Sequence, residues 1–105
     1  MSALHAFRMQ LKPGAVAEYK ARHDAIWPQL AELLKNSGVS DYSIFLDEET
    51  LSLFAVLRRA ENHTLDDLPN HPLMRKWWTH MAPLMEVEPG DKPREWSLQL
   101  MFHQA

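Results

Sequence analysis

A chain of 105 residues with a net charge of −3 and 46% apolar residues has the size and composition of one globular domain over 1–105, too small for a second core and too apolar for disorder. It contains no cysteine, which excludes disulfides, thiolate metal sites and cysteine nucleophiles. Lys and Arg form no basic stripe, no apolar run could span a bilayer, and the start MSALHAFRMQ lacks the pattern of a signal peptide, so nucleic acid and membrane are not expected as partners and a cytoplasmic address is.

Residues Leu4 to Leu11 alternate, with His5, Phe7, Met9 and Leu11 on one side and Ala6, Arg8 and Gln10 on the other, the pattern of a strand with one wetter face. After Pro13-Gly14, the residues Val16, Tyr19, His23, Ile26, Trp27, Leu30, Leu33 and Leu34 recur at helical spacing until Asn36-Ser37-Gly38. This predicts a long amphipathic helix. Pro28 lies inside it, cannot donate to the carbonyl of Asp24, and must bend or briefly break it.

Tyr42 to Asp47 and Leu51 to Arg58 read as two strands joined by a polar turn. Asn62 or Thr64 can cap a short helix through Leu68, and Pro72 can start another carrying Leu73, Met74, Trp77, Trp78 and Met81. Pro83 to Pro93 reads as a loop, and the alternation from Trp96 to His103 as a fourth strand. The order is β-α-β-β-α-β, which predicts an α+β, ferredoxin-like domain with a four-stranded antiparallel sheet and helices on one face. Large apolar residues occupy both faces of these strands while the helices cover one, so a homodimer joined through the sheets is expected.

Tyr19 and His23 are four residues apart and share a helix face, and Trp27 continues the stripe. Adjacent Trp77 and Trp78 point about 100° apart, so one can pack inward while the other edges a cleft. The residues alone leave two readings open: core aromatics with satisfied polar tips, or the wall of a pocket for a carbohydrate, whose C–H faces stack on indole and whose hydroxyls need placed partners. His5, His63, His71, His80 and His103 are dispersed with no metal-ligand spacing, so no metal is expected. The chain has no Gly-rich phosphate loop and no GxSxG. Acid-base catalysis by His, Tyr, Asp or Glu is the chemistry left.

The segment Tyr19-Lys20-Ala21-Arg22-His23-Asp24-Ala25-Ile26-Trp27-Pro28 resembles the signature of the L-rhamnose mutarotases. The resemblance continues through Asp41-Tyr42-Ser43-Ile44-Phe45-Leu46 and Trp77-Trp78-Thr79-His80-Met81, in the same order and at similar spacing. It implies a dimeric ferredoxin-like α/β-barrel subunit and a cofactor-free isomerase of the aldose 1-epimerase type acting on L-rhamnose. In that reading Tyr19, Tyr42, Trp77 and Trp78 line the sugar site and His23 is the proton donor. Gln29, Leu100 and Glu86-Val87-Glu88 depart from the family's pattern at the rim of the site. The same fold is similar to that of cofactor-free monooxygenases and of barrels that only bind a small ligand, and fold alone does not separate the three.

Overall fold

The computed structural model describes residues 2–105. Four strands form one antiparallel sheet: β1 (Ser2–Gln10), β2 (Val39–Asp47), β3 (Ser52–Ala60) and β4 (Trp96–Ser97), in the order β2-β3-β1-β4. Between β1 and β2 lie helices α1 (Val16–Asp24) and α2 (Pro28–Asn36), and between β3 and β4 lies α3 (Pro72–Met81). The split βαβ order read from the sequence is therefore the observed one.

The alternation in β1 decides which side of the sheet is covered. Phe7, Met9 and, just past the strand, Leu11 are buried, and Phe7 and Met9 lie on the same face as Leu53, Ala55 and Leu57 of β3. The helices dock on this face through Tyr19 of α1, Leu30 of α2 and Met74, Trp77 and Met81 of α3, all buried. The opposite face carries Leu4, Phe45, Phe54, Val56 and Leu98, of which Phe45 is 62% exposed. One face is a core and the other is uncovered.

The expected long helix is instead two helices. Trp27 adopts φ −59°, ψ 127°, the extended conformation that the residue before a proline prefers, and Pro28 then occupies the first turn of α2, where its missing N–H would have no partner anyway. The chain breaks rather than bends, and Ala25 and Ile26 close α1 by donating to the carbonyls of Ala21 and His23.

The fourth strand is much shorter than its alternation predicts. Trp96 and Ser97 pair with Arg8 and Phe7, the N–H of Leu98 donates to Ala6, and the ladder stops there. Leu100, Met101 and Phe102 are 69%, 85% and 78% exposed. An edge strand gains hydrogen bonds on one side only, and within a single chain no second layer covers these side chains, so the burial that would hold them to β1 is missing.

The segment after β3 is a 3₁₀ helix over Leu65–Asn70, not an α-helix, and Thr64 stands at its start without making a side-chain cap. The cap of α3 is His71, whose Nδ1 accepts from the N–H of Leu73 at 3.1 Å. The Pro83 to Pro93 loop is tied down by single bridges between Leu11 and Met85 and between Val87 and Pro93.

Candidate active site

A cavity of about 1090 Å³ lies between the helix-facing side of the sheet and the helices, large enough for a monosaccharide. His23, Tyr19, Tyr42, Trp77 and Trp78 all line it, although they come from three elements spread over much of the chain.

Helical spacing brings the first two together. Tyr19 and His23 stack with ring centroids 4.4 Å apart, and His23 Nδ1 lies 3.1 Å from the carbonyl oxygen of Tyr19. A carbonyl only accepts, so Nδ1 carries the hydrogen and Nε2 is left for a ligand. Trp77 packs edge-on against the same imidazole at 5.4 Å and fixes its plane. Burial holds the His23 pKa below its ordinary value, outweighing the Tyr19 carbonyl and the carboxylate of Asp24, which both favour the charged ring. The ring therefore gives up a proton readily, and donates one from Nε2 only in its imidazolium form.

The two phenols are held in their protonated form. Burial, with a smaller effect from Tyr42, pushes the Tyr19 hydroxyl up; burial and the carboxylate of Glu95 do the same to Tyr42. Tyr42 keeps 39% of its surface accessible and lines the cavity. Its aim depends on a β-bulge: Ser43 pairs with Val56 and Ser40 with Arg58, so β2 has one residue more than β3 over this stretch, and Asp41 takes φ +48° to absorb it. Strict alternation from Tyr42 would turn Val39 outward. The bulge lets both line the cavity.

Helix α3 supplies the indoles. Trp77 is buried against His23, Trp27 at 5.1 Å and His80 at 5.7 Å. Trp78 is half-buried, and Lys92 Nζ stands 5.9 Å from its ring centroid. Arg22 joins α1 to α3 by donating to the carbonyl of His80 through Nη1 and to Glu18 through Nε at 2.8 Å. This cross-link keeps the imidazole of one helix beside the indole of the other.

The cavity wall also carries charged residues that were not anticipated from the sequence, Lys92 and Glu95 among them. Lys92 Nζ lies 3.9 Å from Glu95 Oε2 and 3.9 Å from Glu88 Oε2. Burial raises the Glu95 pKa, Lys92 opposes the rise and Glu88 adds to it. A signal for Glu95 existed: if Trp96 and Leu98 face outward, Glu95 and Ser97 must face the helices. Ser97 indeed sits opposite buried Phe7, while Trp96 stacks under Arg8 on the outer side at 4.0 Å.

The remaining histidines do other work. His71 caps α3, His80 stacks on Trp27, His103 is exposed, and His63 accepts from the N–H of Leu65 through Nδ1. His5 lines the cavity near Arg59, whose buried Nε has no hydrogen-bond partner, and burial followed by the Arg59 charge keeps the His5 pKa low. Among the described residues no three His, Asp or Glu side chains gather as a metal ion would require.

The profile of the L-rhamnose mutarotase family matches residues 4–104. An L-rhamnose mutarotase of Rhizobium meliloti is 59% identical over 94% of this chain and 95% of its own length. One from Mesorhizobium japonicum is 54% identical with both chains covered in full. The crystal structure of an L-rhamnose mutarotase from Formosa agariphila superposes with a TM-score of 0.92 at 43% identity, covering 98% of this chain and 99% of that one. A match that spans the sheet, the three helices and every residue of the cavity wall named above leaves one conclusion, that this chain belongs to the L-rhamnose mutarotase family.

Proposed function

We propose that the chain interconverts the α and β anomers of L-rhamnopyranose, with His23 as the proton donor and Tyr19, Tyr42, Trp77 and Trp78 as the walls of the sugar site. Family membership supports the reaction and the substrate. The residue roles rest on one observation, the His23 imidazole held by the Tyr19 carbonyl with Nε2 left for a ligand in a cavity lined by two phenols and two indoles. Ring opening moves a proton away from the O1 hydroxyl and another onto the ring oxygen. The C1–ring oxygen bond then breaks to leave an open-chain aldehyde, and reclosure on the other carbonyl face inverts C1. His23 gives the ring oxygen its proton on opening and recovers it on closing. The neutral phenols of Tyr19 and Tyr42 hold sugar hydroxyls, and an indole face takes the apolar side of the ring.

The reading extends to a homodimer that covers the open face of the sheet, supported by exposed Leu4, Phe45 and Leu98 on that face. It extends also to a cytoplasmic address, in keeping with a chain without cysteine. NMR exchange spectroscopy on equilibrated L-rhamnose tests the reaction directly. Wild-type protein is expected to speed anomer exchange, and His23→Asn to slow it by roughly 10²- to 10⁴-fold while remaining folded. A folded His23→Asn protein with the wild-type rate would remove His23 from the mechanism.

A further inference from the structure

Anomer exchange needs two proton transfers, and His23 accounts for one. The group that takes the O1 proton has to reach the same cavity, survive there without water's help, and hold or release a proton near neutral pH. Tyr19 and Tyr42 fail the last condition, since their phenols are held protonated by burial. Asp24 also lines the cavity, yet its carboxylate is 64% exposed and ion-paired with Lys20 Nζ at 2.9 Å on the outside of α1. Glu95 meets all three. Its side chain is 36% exposed, it lines the cavity from β4's end of the sheet, and its carboxylate disfavours ionisation of Tyr42, which lines the same cavity. Imidazole and carboxyl thus line one cavity together with the two phenols.

We propose that Glu95 is the second proton-transfer group, taking the O1 proton in ring opening while His23 supplies the ring oxygen, so that the pair passes one proton through the sugar and keeps its total unchanged. The inference rests on the reading of His23 given above. In the opening step the O1–H proton goes to the Glu95 carboxylate, and the O–H electron pair becomes the second bond of the C1=O1 carbonyl. The C1–ring oxygen pair leaves with that oxygen and accepts the proton of the His23 imidazolium. The site now holds neutral His23 and protonated Glu95. After rotation about C1–C2 the ring hydroxyl attacks the other face of the carbonyl. Its proton returns to His23, the Glu95 proton goes to O1, and the starting state is restored without solvent or cofactor.

Such an exchange is rapid only if the proton has similar free energy on either group. The surroundings act in that direction. Around His23 the burial outweighs Tyr19 and Asp24 and weakens its hold on a proton; around Glu95 the burial and Glu88 outweigh Lys92 and strengthen it. An imidazole and a carboxyl that differ by about two units in water are brought closer together. Lys92, 3.9 Å from Glu95 and 5.9 Å from the Trp78 centroid, sets where that balance falls.

The test is the rate of α/β exchange against pH for wild type, Glu95→Gln, Lys92→Met and His23→Asn, with L-rhamnose as substrate and circular dichroism as the control for folding. The wild-type profile is expected to be a bell, because activity needs one proton on the pair. Glu95→Gln is expected to lower kcat about 10²-fold with KM little changed, and to leave a single limb belonging to His23. Lys92→Met keeps the carboxyl but removes the charge that opposes its protonation, so the bell survives and a limb moves to higher pH. If Glu95→Gln does not fold, Lys92→Met and Glu95→Asp decide the matter by the same limb. A folded Glu95→Gln protein that keeps the wild-type rate, or that slows but keeps both limbs, overturns the role of Glu95. If His23→Asn is slow in the same experiment, the reading of His23 stands without it. A wild-type protein that does not speed the exchange at all overturns both.

Discussion

At the scale of single residues the site is an exercise in holding protonation states. Tyr19 lends its carbonyl to His23 and keeps its own hydroxyl neutral. If that phenol only orients the sugar, Tyr19→Phe should cost roughly five- to tenfold in kcat/KM, about one hydrogen bond, far less than His23→Asn. Steady-state rates on the two variants side by side make the comparison. The histidine also leaves a mark on folding. Its folded pKa lies below the ordinary 6.5 of an unfolded chain, so between those two values the unfolded state binds more protons, and stability falls as pH drops through about 6.5. Urea titrations at pH 7.5 and pH 5 should show a smaller loss in His23→Asn than in wild type. Part of the slope will persist, because His5 is depressed in the same sense.

At the scale of elements, small departures from regular structure place the side chains in and around the cavity. The break at Trp27-Pro28 separates α1 from α2 and leaves Trp27 free to pack against Trp77 and His80. The bulge in β2 puts Tyr42 and Val39 on the same side. The turn from α2 into β2 is equally demanding. Gly38 has φ +97°, and a Cβ there would come within 2.9 Å of the Cβ and 3.0 Å of the Cα of His63. Gly14 also has a positive φ, +80°, but open space around it. Gly38→Ala should therefore destabilise the fold by more than about 2 kcal/mol and Gly14→Ala by about 1 kcal/mol. Equal midpoints for the two variants in chemical denaturation would show that the backbone angle alone, not the contact with His63, sets the cost.

At the scale of the whole molecule the sheet has a finished side and an unfinished one. Helices cover Phe7, Met9, Leu53, Ala55 and Leu57, whereas Phe45 and Phe54 face each other across β2 and β3 on the open side. If a second copy of the chain covers that side, sedimentation at micromolar concentration should report about twice the 12.2 kDa chain mass. Phe45→Glu places a charge in the centre of the patch, away from the cavity, and should yield monomers that keep the circular dichroism of the wild type. The exposed Leu100, Met101 and Phe102 belong to the same expectation, since a partner's surface would supply the burial that the single chain lacks. Wild-type protein that sediments as a monomer would end this reading.

How much of this was legible in the amino-acid order depends on the range of the forces involved. Alternation in residues 4–11, the helical stripe from Val16 to Leu34 and the punctuation at Pro28, Gly38 and Pro72 are local properties, so the sequence by itself determined the element order, the covered face of β1 and the shared helix face of Tyr19 and His23. The family signature is likewise local. Tertiary structure decided what local patterns cannot carry. The alternation from Trp96 to His103 is a sound strand pattern, yet a strand persists only where pairing and burial hold it, and the single chain pairs two of its residues and leaves Leu100, Met101 and Phe102 exposed. Pro28 announced a disturbance, but packing of Trp27 on α3 settled it as a clean break. The cavity joins α1, β2, α3 and the approach to β4, and residues 23, 42, 77 and 95 meet there only because the sheet order β2-β3-β1-β4 folds distant segments around one space. Long-range burial is also what lowers the His23 pKa and raises that of Glu95, since desolvation is set by everything packed around a group and is not a property of its neighbours in the chain.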